Sequence, residues 1–222
     1  MPDYAKARAN MVDCQIHTNG VVNPKILSAF ETIPRELFAP AHLRNVSYQD
    51  HAIAVGEGRF ILEPQVHARM LEVCNISDAD DSALVIGDES GYAAAIMSFL
   101  VPTVLGVSEN KKSGEALSKA LSAADVCNFV SVEGKVDEGC AKHAPYAIIF
   151  INGAVAQVPD AILQQLAIGG RCVYVRKPDA ASVGYIEVTL HSGETVYSAR
   201  RYYDAAAPYL PEFLPEKRFA FS

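Results

Sequence analysis

The residues best placed to do chemistry lie in the stretch ALVIGDESGYAAAI, residues 83–96. An apolar run, a turn with a glycine at each end and an alanine-rich run predict a buried strand, a tight turn and the start of a helix. In open α/β sheets, ligands bind beyond the carboxyl ends of the strands, near such a turn. Glycine lets a ligand approach the backbone closely, and a helix N-terminus offers amide donors. The turn GDESG, residues 87–91, is therefore the first candidate binding site.

The acidic character of this turn restricts the ligands that it suits. The spacing G-x-x-x-G differs from the dinucleotide pattern G-x-G-x-x-G, because Glu89 takes the middle position, and no Lys-Ser or Lys-Thr follows as in phosphate loops. Asp88 and Glu89 would repel a pyrophosphate. A cationic or zwitterionic cofactor such as S-adenosylmethionine, which carries a sulfonium and an ammonium, suits the turn better. The alternative, that both acids merely cap the following helix and favour its dipole, stays open.

Composition excludes several classes of function. The chain has 222 residues, half of them hydrophobic, which predicts one large domain or a domain with extensions. A net charge of -7 without a dense Lys/Arg cluster argues against a nucleic-acid-binding surface. No apolar run approaches the ~20 residues needed to cross a bilayer, and the polar first residues lack the apolar core of a signal peptide. We therefore expect a cytoplasmic protein with no membrane contact.

The five cysteines are widely and irregularly spaced, and no C-x-x-C pair occurs. We expect buried free thiols in a reducing cytosol and no metal site.

The second part of the chain alternates apolar strands with helical stretches. The runs ALVI, TVLGV, FVSV, AIIFI and RCVYV read as strands buried on both faces, as in parallel sheets. Helical stretches lie between them, at residues 92–100, 112–124 and 159–166. This βαβ repetition predicts an α/β fold with a doubly wound, mostly parallel, Rossmann-like sheet. Near the end, YIEVTL-HSGE-TVYSAR alternates with period two and predicts an antiparallel hairpin.

The first part lacks this alternation and reads as helical. Asn23 is a predicted N-cap with Pro24 at the first helical position, Pro34 ends that run, and Pro64 opens another helix. We predict one structural domain in three parts. They are an N-terminal helical segment on the substrate side (residues 1–80), an α/β core (81–200) and a Pro-rich tail that wraps the surface (201–222).

Two long segments give the chain a family resemblance. The first runs from MVDCQIHTNGVVNPKILSAFETIPRELFAP to SYQDHAIAVGEGRFILEPQVHARML, and the second is APYAIIFINGAVAQVPDAILQQLAIGGRCVYV. Through IPRELFAP, the Y-x-D at Tyr48 and Asp50, and the QL-x-x-GGR run, the sequence resembles the protein-L-isoaspartate O-methyltransferases. The resemblance implies a class I methyltransferase fold and S-adenosylmethionine-dependent methylation of isoaspartyl carboxylates in damaged proteins or peptides. An isoaspartyl carboxylate has a pKa near 4 and is ionised at neutral pH, so the reaction needs positioning rather than a general base.

The acceptor side of the site departs from the family pattern. Where the family carries a G-Q-T-I-S-Q-P-like segment with active-site hydroxyls, this sequence has GRFILEP at residues 58–64. The two hydroxyl positions, which the resemblance marks as catalytic, are Phe60 and Leu62. An apolar side chain cannot hydrogen-bond the reacting carboxylate. Arg59 either faces water or binds an anionic group in place of the lost hydroxyls.

The cofactor side departs as well. The family's E-I-G-T-G-S-G-Y aligns with VIGDESGY, so the resemblance implies cofactor contacts at Gly87, Asp88, Glu89, Ser90, Gly91 and Tyr92. Here the central glycine has become Glu89, which either clashes with the cofactor or pairs with its positive charge. At the end of the second strand, where the family has a ribose-binding acid, Ser108 stands first and Glu109 follows it. Near the adenine, the family's G-D-G aligns with Gly134-Lys135-Val136.

These departures predict that methyl transfer is weak or lost. One alternative is a non-catalytic protein, a pseudoenzyme that binds a protein or peptide, as a monomer or a homodimer. The other alternative is a methyltransferase for a different substrate. A methyltransferase for a new substrate should keep the family pattern in the cofactor turn, whereas a protein that has lost its activity need keep the pattern on neither side. Because both sides have changed, the non-catalytic alternative is favoured of the two. His67 reads as a histidine on a helix face.

Overall fold

The computed structural model of the chain describes residues 3–193 and 196–215, which form one central sheet with helices on both faces. Seven strands form the sheet and two form a small hairpin: β1 Ile53–Gly56, β2 Arg59–Ile61, β3 Ser82–Ile86, β4 Thr103–Ser108, β5 Phe129–Glu133, β6 Tyr146–Val155, β7 Leu166–Arg176, β8 Tyr185–Gly193 and β9 Val196–Asp204. The sheet order is β5-β4-β3-β6-β7-β8-β9. The first five of these strands are parallel and the last two are antiparallel, which confirms the predicted fold class.

In the described part of the chain, seven α-helices accompany the strands: α1 Tyr4–Met11, α2 Pro24–Thr32, α3 Arg35–Phe38, α4 Pro64–Cys74, α5 Tyr92–Leu100, α6 Lys111–Ser122 and α7 Asp160–Leu163. Within the described ranges, no helix is both long and apolar enough to cross a membrane.

Helix boundaries follow the predicted caps where local chemistry sets them. Asn23 accepts a hydrogen bond from the Lys25 amide at 2.9 Å, and Pro24 opens α2 as expected. Helix α5 has the predicted bounds, and α6 lies within two residues of its prediction. The predicted helix at 159–166 is wrong beyond Leu163. The Gln165 carbonyl accepts from the Tyr146 amide, so the chain joins the start of β6 and leads into β7.

The N-terminal part is less uniformly helical than predicted. Strands β1 and β2 pair antiparallel around a turn in which Glu57 and Gly58 have φ angles of 50° and 72°. Helix α4 then follows from Pro64, as predicted. Its His67 is 1% exposed and packs edge-on against the Phe30 ring.

The C-terminal end differs most from expectation. The predicted hairpin is present as β8 and β9, whereas Glu194 and Thr195 of its turn lie outside the described residues. Strand β9 ends at Asp204, so residues 201–204 belong to the sheet. Residues 216–222 of the predicted tail also lie outside the described part. The tail up to residue 215 does not merely wrap the surface: Leu210 and Phe213 are buried in a hydrophobic cluster with strands of the sheet.

The cysteines divide into two groups. Cys74, Cys140 and Cys172 are buried free thiols, as expected. Cys14 and Cys127 are exposed, which corrects the expectation for these two.

Candidate functional site

The GDESG turn lies at the carboxyl end of β3 and leads into α5. Its two glycines, Gly87 and Gly91, have φ angles of 79° and 87°, a left-handed conformation that disfavours side chains. Gly91 is the N-cap residue of α5. The strand-turn-helix unit is therefore formed as the sequence predicted, at the sheet edge where α/β proteins bind ligands.

Asp88 is fully engaged within the turn. Its Oδ1 accepts from the Gly91 amide at 3.0 Å and from the Ser90 hydroxyl at 2.7 Å, and its Oδ2 accepts from the Ala94 amide at 2.9 Å. Ser90 Oγ in turn accepts from the Tyr92 amide at 3.1 Å. Burial raises the pKa of Asp88, and these hydrogen bonds oppose the rise. For Asp88 the structure thus favours the helix-capping alternative.

Tyr92 lies in the core rather than at the rim of the site. Its ring packs against Phe38 and His67, and the Arg35 guanidinium lies 5.0 Å from its centroid. Burial raises the pKa of Tyr92 to about 12. The same cluster buries His67, and burial followed by the nearby Arg35 charge lowers the pKa of His67 to about 3. The cluster therefore lies in the core next to the GDESG turn, and its His67 imidazole is neutral.

The two hydroxyl positions of the family segment carry apolar side chains, and their backbone carbonyls accept hydrogen bonds from other side chains. Leu62 is buried, and its carbonyl accepts from Arg35 Nη2 at 2.9 Å. Phe60 is half-buried, and its carbonyl accepts from Asn152 Nδ2 at 2.9 Å. Neither residue presents a polar side-chain group to an acceptor substrate.

Arg59 is a buried ion-pair residue, which corrects the expectation that it faces water. It is 3% exposed and donates from Nη1 and Nη2 to the two carboxylate oxygens of Glu212, at 2.8 and 2.7 Å. Nη2 also donates to Glu109 Oε1 at 2.9 Å. Although burial alone would lower it, the two carboxylates hold the pKa of Arg59 above its ordinary value. Sequence reasoning missed Glu212, because no local pattern links it to a residue 153 positions away.

Glu89 and Glu109 place further negative charge beside Arg59. Glu89 is half-exposed, and burial raises its pKa, an effect that Arg59 opposes and Glu109 reinforces. The formal charges of Arg59, Glu89, Glu109 and Glu212 sum to -2, since one cation stands against three carboxylates. This part of the site favours cations over anions.

Of the residues predicted to hold the ribose and adenine, Glu109, Gly134 and Lys135 line an open cleft. Ser108 is buried and shares a hydrogen bond of 2.8 Å with Ser131, so Glu109 and not Ser108 faces the cleft. Lys135 is exposed and pairs with Glu138 at 2.6 Å. The cleft has a volume of about 620 Å³ and is lined mainly by acidic side chains and by the loop after β5: Glu109, Glu133, Gly134, Lys135, Val136, Asp137, Glu138 and Glu212.

The C-terminal tail fills the space above the GDESG turn. A β-carbon added at Gly87 would lie 2.6 Å from Leu210 Cδ1, and one at Gly153 would lie 2.8 Å from Leu210 Cγ. Pro211 Cγ lies 2.7 Å from the corresponding position at Gly58. The family resemblance places the methionyl part of S-adenosylmethionine over Gly87, in the room that Leu210 occupies. With the tail in this position, the residues of the site do not fit that cofactor.

Comparison with known proteins identifies one family. A family model described as protein-L-isoaspartate(D-aspartate) O-methyltransferase matches residues 6–184. A protein-L-isoaspartate O-methyltransferase of Koribacter versatilis is 34% identical over 170 residues, 77% of this chain and 76% of the relative. Protein-L-isoaspartate O-methyltransferase 1 of Rhodopseudomonas palustris is 31% identical over 193 residues, 87% of this chain and 78% of the relative.

Solved structures show the same fold. A protein-L-isoaspartate O-methyltransferase superposes with a TM-score of 0.76 at 20% identity, over 94% of this chain and 67% of its own. A Plasmodium falciparum protein described as a protein-L-isoaspartate O-methyltransferase, solved with S-adenosyl-L-homocysteine, also gives 0.76 at 14% identity, over 96% of this chain and 100% of its own. The family match ends at residue 184, before β8, β9 and the tail that covers the GDESG turn.

Proposed function

The chain belongs to the protein-L-isoaspartate(D-aspartate) O-methyltransferase family, and we propose that it keeps the family fold while isoaspartyl methylation is weak or lost. The family reaction transfers a methyl group from S-adenosylmethionine to an isoaspartyl carboxylate of a damaged protein. Such a carboxylate is an anion at neutral pH. Activity therefore depends on whether the acceptor side of the site can bind a carboxylate anion.

The observation that carries the proposal is the ion-pair network around Arg59. The cation that could hold the acceptor carboxylate is already paired with Glu109 and Glu212, and Glu89 stands beside it. An uncompensated like charge at about 4 Å costs on the order of 4 kcal/mol at an effective dielectric constant near 20. An incoming carboxylate would therefore be repelled where the family must bind it.

The apolar residues at the hydroxyl positions act in the same direction. A hydrogen bond to a charged group contributes roughly 1.5–3 kcal/mol, and Phe60 and Leu62 can supply none from their side chains. Two such losses would lower the rate by roughly 10²-fold or more, since about 1.4 kcal/mol corresponds to a factor of ten.

The second candidate function is a non-catalytic module that binds a protein or peptide, in the cytoplasm, as a monomer or a homodimer. It is favoured over a methyltransferase with a new substrate, because the changes affect both sides of the site. A new acceptor would tolerate the acidic network, but it would still require cofactor in the space that Leu210 fills.

The test is methyl transfer by the full chain. An isoaspartyl peptide is incubated with S-adenosylmethionine labelled in the methyl group, and labelled methanol released by base is counted. An active family member assayed in parallel provides the reference. We expect a turnover at least about 10²-fold below the reference. A turnover within a factor of a few of the reference would reject the proposal.

A further inference from the structure

The tail segment, residues 208–213, is attached to the sheet by backbone hydrogen bonds. The Ala154 amide donates to the Pro208 carbonyl at 2.8 Å, and the Leu210 amide donates to the Ala154 carbonyl at 3.1 Å. The Ala156 amide donates to the Phe213 carbonyl at 2.8 Å. The segment thus runs along the carboxyl end of β6, next to the carboxyl end of β3. This is the sheet edge at which an α/β protein binds its ligand.

Leu210 inserts its side chain between two glycines of that edge. It is fully buried, and its methyl groups lie over Gly87 on one side while its Cγ lies over Gly153 on the other. The glycines make this socket, because a β-carbon at either position would collide with Leu210. Gly87 belongs to the turn against which the resemblance places the cofactor.

The tail segment also covers the acceptor side of the site, through Pro211 and Glu212. Glu212 pairs with Arg59 of β2, and Pro211 packs over Gly58 of the adjoining turn. Although burial alone would raise it, the Arg59 guanidinium holds the pKa of Glu212 below its ordinary value. One six-residue segment therefore contacts both the cofactor turn and the substrate-side hairpin.

We propose that the tail segment is an internal competitor of an adenosyl ligand. Leu210 occupies the methionyl half of the pocket, and the cleft of about 620 Å³ beside Glu109 and Lys135 is the nucleoside half that remains open. The tail and the adenosyl amino acid cannot both be in place, so each weakens the binding of the other. This inference rests on the proposed function in taking the ligand to be the family's cofactor.

Tethering gives the tail an advantage over a free ligand. A segment that follows β9 directly is held near its socket at an effective concentration in the millimolar range, so a free ligand at micromolar concentration competes at a disadvantage. The apparent dissociation constant equals the intrinsic one divided by the fraction of molecules whose tail is open. Freeing the tail should therefore improve adenosyl binding without any change in the pocket itself.

The experiment compares full-length variants in calorimetric titrations with S-adenosylhomocysteine. Leu210→Asp places a carboxylate in the buried socket and should free the tail. The matched control is Leu214→Asp, which introduces the same charge at an exposed tail position outside the socket. We expect Leu210→Asp to bind S-adenosylhomocysteine at least about tenfold more tightly than the natural chain, and Leu214→Asp to bind as the natural chain does.

Hydrogen exchange reports on the tail independently. S-adenosylhomocysteine at high concentration should accelerate amide exchange in residues 208–213 of the natural chain, because competition is reciprocal. If Leu210→Asp does not fold, Glu212→Arg takes its place. This substitution sets a second positive charge against Arg59 and should also detach the tail. A folded variant with a freely exchanging tail and unchanged affinity would overturn the inference. A tail that remains protected in both variants would also overturn it, because the segment would then be a fixed part of the core.

The two proposals fail separately. Methyl transfer to the isoaspartyl peptide by the natural chain rejects the proposed loss of function. Unchanged affinity in the tail variants rejects the competition, whatever the methylation result. A Leu210→Asp variant that gains affinity but releases no methanol supports both.

Discussion

Arg59 and Glu212, 153 positions apart in the sequence, face each other as a two-point ion pair with N–O distances of 2.7 and 2.8 Å. The pair joins the tail to β2 of the small hairpin. Its arginine is buried, and its glutamate side chain is 23% exposed. Parallel guanidinium-carboxylate bonds of this kind fix geometry as well as charge. The pair therefore sets where the tail lies over the site.

A double-mutant cycle should measure this pair. We expect Arg59→Met and Glu212→Gln to couple by about 1.5 kcal/mol in the free energy of unfolding from urea denaturation, since both hydrogen bonds are charged and shielded from water. The exposed pair Arg201–Asp204, treated the same way, should couple by less than about 0.5 kcal/mol. Equal coupling in the two cycles would show that the tail is not held by Arg59.

His67 should make the protein sensitive to acid. The folded-state pKa of about 3 lies below the unfolded value near 6.5, so the unfolded chain binds the proton first. Stability is thus present above about pH 6.5 and is lost as the pH falls toward 3. Between pH 7 and pH 5 the natural chain should lose about 2 kcal/mol more than His67→Leu. Urea denaturation at both pH values measures this, with His17→Leu, at an exposed position, as the control. Parallel losses in the natural chain and His67→Leu would contradict the prediction.

Asp88 should contribute to stability through the cap of α5. Asp88→Ala removes the acceptor of two backbone amides and one hydroxyl and should lower the free energy of unfolding by about 2 kcal/mol. Asp88→Asn should cost about half as much, because its amide nitrogen cannot accept from Ala94. The exposed Asp81→Ala should change stability by less than about 0.5 kcal/mol. If Asp88→Ala left the free energy of unfolding unchanged, Asp88 would not act as a helix cap and would again be a candidate ligand-binding group.

Restoring a hydroxyl at position 62 should not restore activity. Leu62→Ser removes a fully buried side chain and should cost about 3 kcal/mol of stability in urea denaturation. Methanol release should remain at background, because the acidic network and the tail are unchanged. Leu37→Ser, at an exposed position of α3, provides the stability control. Release of methanol by Leu62→Ser alone would show that the hydroxyl, and not the charge, limits the reaction.

The sheet was predictable because its strands are buried on both faces. Runs such as those of β3 and β6 have an apolar character that no amphipathic helix shares, and the glycines of the turn mark where β3 ends. The hairpin β1–β2 was missed because strands of four and three residues are too short to show a period.

The segments that form the candidate site were identifiable in the sequence, whereas the residues that contact them were not. The sequence marked the GDESG turn and the hydroxyl positions, since both belong to continuous segments. Leu210 and Glu212 lie in a proline-rich stretch with no periodic pattern, and their contacts depend on how β8 and β9 return the chain to the sheet edge. The sequence also placed His67 on a helix, whereas its burial depends on the rings that surround it in the fold.

The glycines at positions 87 and 153 admit a leucine as readily as a cofactor. Under the proposed competition, a side chain at either position would displace Leu210 and would also take up the space of the adenosyl amino acid, so an active enzyme and a closed relative would both need glycine there. Glycines in this turn thus indicate that there is space above the backbone, and they do not by themselves indicate catalysis.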